Sequence, residues 1–254
     1  MDPIALVTGT TSGIGQACVE ILSRNKYRLI ITGRRLERLN SLAEGIRTST
    51  GCEVKVLCFD VRDRQAVEEQ LSSLPEDWKA VEVLINNAGG AHGIDHIHKG
   101  DVEDWETMID ANVKGLLYIS RVVSGWMVQR GKGHIINISS IAGKEVYEKG
   151  NVYCATKFAV DALTKGMRID LVQHGIRVTS VDPGMVETEF SMVRFKGDQE
   201  KSDKVYEGLE PLTAMDVAEA VWFAVSRPAH VCINDILIMP TAQASVGYVH
   251  RKTE

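Results

Sequence analysis

The stretch Ile4-Ala5-Leu6-Val7-Thr8-Gly9-Thr10-Thr11-Ser12-Gly13-Ile14-Gly15 decides the fold. Ile4 to Val7 is a short apolar run of the kind buried in a parallel sheet. A helical pattern runs from Gln16 to Arg24, so a glycine-rich turn sits between a strand and a helix N-terminus. Gly9 allows a tight turn, Gly13 allows close approach of a pyrophosphate, and Gly15 lets helix and strand pack closely. Free N–H groups and the helix dipole favour phosphate there. Alone, Gly-x-x-x-Gly-x-Gly reads equally as a bland turn; the strand and helix around it favour a phosphate cradle.

The pattern then repeats outward. Arg28 to Ile31 is a second strand, followed by Gly33-Arg34-Arg35 and a helix over about Leu36 to Arg47. Folds that prefer NAD place a carboxylate at the end of this strand, where it would repel a 2′-phosphate. Here Thr32 and Gly33 stand there, and guanidinium groups can bind a 2′-phosphate with paired hydrogen bonds. Arg34 and Arg35 therefore read as an NADP preference, or else as solvated charges opening a helix. Val54 to Phe59 is a third strand, ending at Asp60-Val61. Asp60 suits an adenine amino group, or the N-cap of a helix over Arg62 to Leu74, or both. Val81 to Ile85 is a fourth strand, ending in Asn86-Asn87-Ala88-Gly89, which suits either a flat ligand or amide ties between strands.

His92, His96 and His98 fall close together, but no second ligand cluster or Cys pair completes a metal site, and none is expected. Asp101 to Arg130 is one long helical pattern containing Asn112. An Asn on an apolar helix face needs a partner for its amide. It either bends the helix and holds a water, or makes an interhelix hydrogen bond.

His134 to Ile138 is a buried strand ending in Ser139 and Ser140. A helix then opens at Tyr153-Cys154-Ala155-Thr156-Lys157 and runs to about His174, with Gly175 as its C-cap. The spacing of Tyr153 and Lys157 puts a phenol and an ammonium on one face. A phenol of pKa ~10 is a poor proton donor at neutral pH, and a neighbouring Lys lowers that value. Ala155, Ala159, Ala162 and Gly166 lie roughly opposite, a stripe that suits a subunit interface or internal packing. Arg177 to Val181 is the sixth strand, leading into Asp182-Pro183-Gly184-Met185-Val186-Glu187-Thr188. Thr188 and backbone N–H groups there suit a nicotinamide amide and a pyrophosphate. Residues 189–210 read as a mobile lid, Thr213 to Ser226 as a helix capped by Thr213, and Ile236 to Ile238 as a last strand. The alternation implies a parallel sheet covered on both faces.

Bulk properties fit. The chain has 254 residues, 44% hydrophobic and 25% charged, as in an ordinary globular protein. A net charge of −5 points to no nucleic-acid or membrane partner. No apolar run approaches the ~18 residues that span a bilayer, and Met1 to Ile4 lacks the features of a signal peptide. Five scattered Cys argue against a disulfide framework. A cytoplasmic protein is the expectation.

Thr8 to Gly15, Asn86 to Gly89, Asn112, Ser140 and Tyr153 to Lys157 occur together and in order, and along essentially the whole chain they resemble the short-chain dehydrogenase/reductase family. Ser140 stands thirteen residues before Tyr153, the family's usual separation, and Ser139 should point to the other side of the strand. The resemblance implies a single doubly wound Rossmann domain over 1–254, with a parallel seven-stranded sheet and a substrate lid at about 185–212. It implies Tyr153 as acid or base, Lys157 as the group that lowers its pKa and bonds the nicotinamide ribose, Ser140 as orienter of the substrate oxygen, and Asn112 as holder of a relay water. It maps NADP contacts to Gly9, Thr10, Thr11, Ser12, Gly13, Ile14 and Gly15, then Arg34, Arg35, Asp60, Val61, Asn87, Ala88 and Gly89. Tyr153, Lys157, Pro183, Gly184, Val186 and Thr188 complete the set. A homotetramer through helices near 101–130 and 153–174 is expected.

Val102 to Asp110, Val186 to Asp198 and the run Pro240 to Gln243 resemble more closely the NADP-dependent 3-hydroxy acid dehydrogenases. Such enzymes interconvert small 3-hydroxy acids (3-hydroxypropionate, 3-hydroxyisobutyrate, serine, allo-threonine) and their semialdehydes or ketones. An anionic substrate needs a cation, and Arg194 in the lid is the candidate beside Ser140 and Tyr153; a plain surface arginine is the other reading. Sulfoacetaldehyde reductases are near relatives and would use the same cation. A reductase of bulkier ketones and an NADP(H)-binding redox sensor are the remaining alternatives. Met185, Gln243 and Tyr248 have no assigned part.

Overall fold

In the computed structural model, which describes residues 2–252, every strand joins one sheet. The strands are β1 (Ile4–Val7), β2 (Arg28–Gly33), β3 (Val54–Cys58), β4 (Val81–Asn86), β5 (Gly133–Ile138), β6 (Ile176–Pro183) and β7 (Asp235–Ile238). All pairs are parallel, in the order β3-β2-β1-β4-β5-β6-β7. The winding reverses between β1 and β4, which opens a crevice at the carboxyl ends of those strands.

Alternation along each strand divides the core in two. Val7, Ile31, Ile85 and Ile136 face α1 (Gly13–Arg24), α2 (Leu36–Thr50) and α9 (Ala214–Val225), packing with Leu22, Leu39 and Val221. Leu6, Ile30, Leu84 and Ile135 face the other side, with α3 (Arg64–Ser72), α5 (Leu116–Arg130) and α6 (Asn151–Leu171). Each such side chain, fully buried, contributes roughly 1.5–3 kcal/mol. Between β6 and α9 lie two short helices, α7 (Phe190–Arg194) and α8 (Gln199–Tyr206). Among the described residues no helix is long and apolar enough to cross a membrane.

Two expectations change. Asp60 is not a helix cap: Asp63 caps α3, accepting from the Ala66 N–H at 3.0 Å, because Asp60 is taken by Arg62. The pattern from Asp101 is not one regular helix. Asp101 caps α4 (Val102–Ile109), and Asp110–Gly115 then forms a π-helical turn before α5. Gly115 packs there against Val61, where a Cβ would approach within 2.8 Å. The stripe on α6 is half open: Ala155 and Ala162 are exposed, while Ala159 and Gly166 are half-buried. Gly175 does end the segment in the left-handed region at φ 69°, and Thr213 forms a capping box with Asp216.

Candidate active site

A cavity of about 640 Å³ lies at the carboxyl ends of the strands. Its floor is the turn between β1 and α1. Gly9 and Gly13 have φ +69° and +54°, which favours glycine at both, and a Cβ on Gly15 would run into the Gly9 carbonyl. Ser12 makes no side-chain cap bond to α1, so the helix N-terminus presents its N–H groups without a local acceptor. That is the fit a pyrophosphate requires. Asn87 braces the turn, its Nδ2 donating to the Thr8 carbonyl at 2.9 Å and the Gly9 carbonyl at 3.0 Å. The strand-tying amide is its neighbour Asn86, bonded to Asn137 at 2.9 Å and Ser120 at 2.8 Å.

Gly9, Thr11, Ser12, Gly13, Ile14, Arg34, Arg35, Asp60, Val61, Asn87, Ala88 and Gly89 line one half of the cavity. Ser140, Tyr153, Lys157, Pro183, Gly184, Val186, Thr188 and Arg194 line the other. Thr10, Gly15 and Asn112 stand behind the wall. Thr10 is buried and donates to the Thr32 carbonyl at 3.2 Å. Asn112 accepts from the Gly90 N–H at 2.8 Å and donates to the Gly90 carbonyl at 2.9 Å and to Thr156 Oγ1 at 3.0 Å. Its side-chain amide thus ties the Gly90 loop to α6.

At the end of β2, Arg35 folds over the glycine-rich turn, with Nε donating to Thr11 Oγ1 at 3.0 Å and Nη2 to Ser12 Oγ at 3.1 Å. It is not merely solvated. Glu189 pairs with it at 3.0 Å and with Arg38 at 2.7 Å. Arg34 stands 3.7 Å from Asp60. Burial works to raise the Asp60 carboxyl, but hydrogen bonds and charge from Arg62, joined by Arg34, hold it below the usual range. Arg38, Arg62 and Glu189 were missed by sequence reasoning; of these only Arg62, two residues past Asp60, carried a local signal.

The other half gathers the chemistry. Ser139 turns to α6, donating to the Lys157 carbonyl at 3.3 Å, while Ser140 faces the Pro183 carbonyl at 3.4 Å. Lys157 Nζ donates to the Ile138 carbonyl at 3.1 Å and stands 5.9 Å from the centre of the Tyr153 ring. Burial pulls its ammonium down to about 8, against an upward pull from Asp182. Burial pushes the Tyr153 phenol up, and Tyr147 adds to this, whereas the Ser140 hydroxyl and Arg194 pull the other way. Burial thus opposes the lowering expected from Lys157, whose ammonium reaches the Ile138 carbonyl.

Arg194 closes the site from α7. Its Nε donates to the Gly93 carbonyl at 3.2 Å, and its guanidinium lies 5.4 Å from the Tyr147 ring and 5.7 Å from the Tyr153 ring. Its Nη2 is buried with no hydrogen-bond partner among the described residues. Phe190 meets Tyr153 edge-on at 5.7 Å. Tyr147 and Phe190 were also missed; the only sequence signal for Tyr147 is its place in the loop between Ser140 and Tyr153. Gln243 Oε1 accepts from the Met185 N–H at 2.9 Å, fixing the turn after Pro183. His96 and His98 stack at 5.8 Å, and the described residues hold no group of three His, Cys, Asp or Glu placed for a metal.

A family model described as short chain dehydrogenase matches residues 3–199. The chain is 49% identical over 250 residues to the NADP-dependent 3-hydroxy acid dehydrogenase YdfG of Salmonella typhi, covering 98% of this chain and 99% of that protein. It superimposes on the closed form of a serine dehydrogenase complexed with NADP+ with a TM-score of 0.92 at 47% identity, covering 98% of this chain and 100% of that one. Against serine dehydrogenase from Escherichia coli the TM-score is 0.81 at 42% identity, covering 95% and 99%.

Proposed function

The chain belongs to the short-chain dehydrogenase family, and from that premise we propose that it is an NADP-dependent 3-hydroxy acid dehydrogenase. It interconverts small 3-hydroxy acids, serine among them, and their semialdehydes or ketones. NADP supplies or accepts the hydride when bound. The chain's own residues do the rest. The glycine-rich turn and the N-terminus of α1 hold the pyrophosphate, and Arg34 and Arg35 hold the 2′-phosphate. Ser140 orients the substrate oxygen beside Tyr153, which gives or takes its proton. Lys157 places a positive charge behind the phenol, which favours the phenolate left when the proton has gone. Asn112 holds the Gly90 loop and α6 in register.

Arg194 carries the choice of an acid substrate. A buried guanidinium nitrogen, Arg194 Nη2, with no hydrogen-bond partner among the described residues, on the wall that bears the reactive phenol, is a site for an anionic oxygen. The lid over 185–212, within one catalytic domain of 1–254, brings that cation to the substrate. Free thiols at all five cysteines support a cytoplasmic setting. A homotetramer through α4, α5 and α6 completes the assignment.

The test is a spectrophotometric screen of NADP+ reduction with serine, allo-threonine, 3-hydroxypropionate, 3-hydroxyisobutyrate and isethionate. Turnover of the carboxylates supports the reading; turnover of isethionate alone replaces it with a sulfonate enzyme. Arg194→Gln should raise KM for acids by roughly tenfold or more, with neutral alcohols little changed, as befits loss of a charge-assisted pair. Equal effects on both classes would remove Arg194 from the substrate site.

A further inference from the structure

Behind Lys157 lies a buried charge that the reaction above does not use. Val178 of β6 packs in the same core cluster as Met167 and Leu171 of α6. By alternation Ser180 and Asp182 face the same way, toward the helix that carries Tyr153 and Lys157. The Asp182 side chain is 0% exposed. Its Oδ1 accepts from Ser180 Oγ at 2.6 Å, and its Oδ2 has no hydrogen-bond partner among the described residues. Lys144 stands 3.4 Å from that oxygen. Burial pushes the Asp182 carboxyl up, and the Ser180 hydroxyl and the Lys144 ammonium pull it back, Lys144 supplying the cation that a buried carboxylate needs.

The surroundings divide into an outer and an inner part. Lys144 also pairs with Asp161 of α6 and, at 3.4 Å, with Asp235 of β7. Lys165 reaches Asp161 at 2.6 Å, and Arg168 reaches Asp235 at 3.6 Å. These outer groups compensate one another. Inside them, Lys157 bonds only the Ile138 carbonyl and makes no ion pair among the described residues. Ile138 pairs with Val181, the residue before Asp182, so the Lys157 ammonium lies at the strand position next to that carboxylate; Asp182 favours the ammonium while burial opposes it. The phenol of Tyr153, on the same helix, is raised by burial, Tyr147 and Cys154 and lowered by Ser140 and Arg194.

Resting on the oxidoreductase reading above, we propose that Asp182, pinned by Ser180 and Lys144, is a positioning residue whose fixed negative charge keeps Lys157 an ammonium. It thereby sets the alkaline limit up to which Tyr153 can deliver its proton to the substrate oxygen. Removing the Asp182 charge leaves Lys144 paired with Asp161 and Asp235, so the local balance turns more positive. A more positive field lowers the pKa of Lys157 and of the phenol alike. The sign of the effect is therefore the same whichever of the two releases the proton.

The experiment is the pH dependence of kcat/KM for NADPH-driven reduction of malonic semialdehyde. In Asp182→Asn the alkaline limb should move to lower pH by about half a unit or more, as removal of one nearby buried charge requires. Thermal melts establish folding. If Asp182→Asn does not fold, Asp182→Ser removes the same charge with a smaller side chain and should move the limb the same way. Asp182→Glu should restore it whatever its melting temperature. A folded neutral variant with the limb at its wild-type position overturns the proposal. Tyr153→Phe is assayed alongside: if it is inactive while the limb of the neutral Asp182 variant stays at its wild-type position, the role of Asp182 alone falls, whereas retained activity of Tyr153→Phe sinks the catalytic assignment beneath both.

Discussion

Lys157 is a residue whose function works against the fold. Its pKa falls from 10.5 to about 8 on burial. Between those values the unfolded chain binds more protons than the native one, so this group's contribution to stability rises with pH through that window. Below pH 8 the full cost of burying the charge is present, on the order of 3 kcal/mol. Lys157→Met removes that cost and loses one hydrogen bond to Ile138, worth about 1 kcal/mol. The variant should therefore melt a few degrees higher than wild type at pH 7. Its advantage should shrink as the pH approaches 10.5, while turnover falls by roughly a hundredfold or more. Melting curves at pH 7 and pH 10, beside the NADP+ assay, check both halves. A variant less stable at pH 7 than wild type would mean that the ammonium is better satisfied than its surroundings suggest. The residue identities here were legible in the sequence, because Tyr153 and Lys157 share a helix face by spacing alone. The depth of their burial was not, because it depends on what β6, the Tyr147 loop and α7 bring from elsewhere.

At the scale of elements, α7 joins the two halves of the cavity. The residue at its N-terminal end, Glu189, holds Arg35 and Arg38; the last residue, Arg194, stands by Tyr153. On the reading given above, Arg35 must turn from Glu189 to a 2′-phosphate, and the carboxylate competes for it. Glu189 is held below the usual carboxylate range, by its bond to Arg38 first and then, against a smaller cost of burial, by Arg35. It therefore stays charged at neutral pH. Glu189→Gln should tighten NADPH binding by roughly threefold, the modest value of exposed ion pairs, and leave NADH nearly unchanged. Fluorescence titration of the two cofactors decides. Equal changes, or weaker NADPH binding, would show that Glu189 holds the arginines in place instead of competing for them. This contact had no signature in the sequence, since its partners lie 154 and 151 residues apart. Strands, caps such as Thr213 and the glycine turn were legible because their causes are local. The break at Asn112 was signalled by an amide on an apolar face, but its π-helical form was not, because that form answers to Gly90 and Val61.

At the scale of the whole molecule, strand–helix alternation implied a parallel sheet, and the handedness of such connections leaves few orders for it. The observed β3-β2-β1-β4 switch puts the glycine turn and β5 on one crevice, so both halves of the site follow from the topology. What a single chain leaves unsatisfied is its outer surface. Along α6 the exposed face carries Ala155, Phe158, Ala162 and Ile169, with Phe158 40% and Ile169 74% exposed. Ile109 at the end of α4 and Leu117 in α5 are exposed as well. Small residues allow helices to approach closely, and large apolar ones gain by leaving water, each contributing roughly 1.5–3 kcal/mol if fully covered. A second copy meeting this face through a twofold axis would bury each of these twice. Ala162→Arg places a charge and a long stem where the approach must be closest, and the site of reaction on the inner face of α6 is untouched. Light scattering on a sizing column should give wild type at four times the chain mass of 28.0 kDa and Ala162→Arg at one or two times. A wild type that elutes as a monomer would leave this face without its assigned partner. So would an Ala162→Arg variant that stays tetrameric.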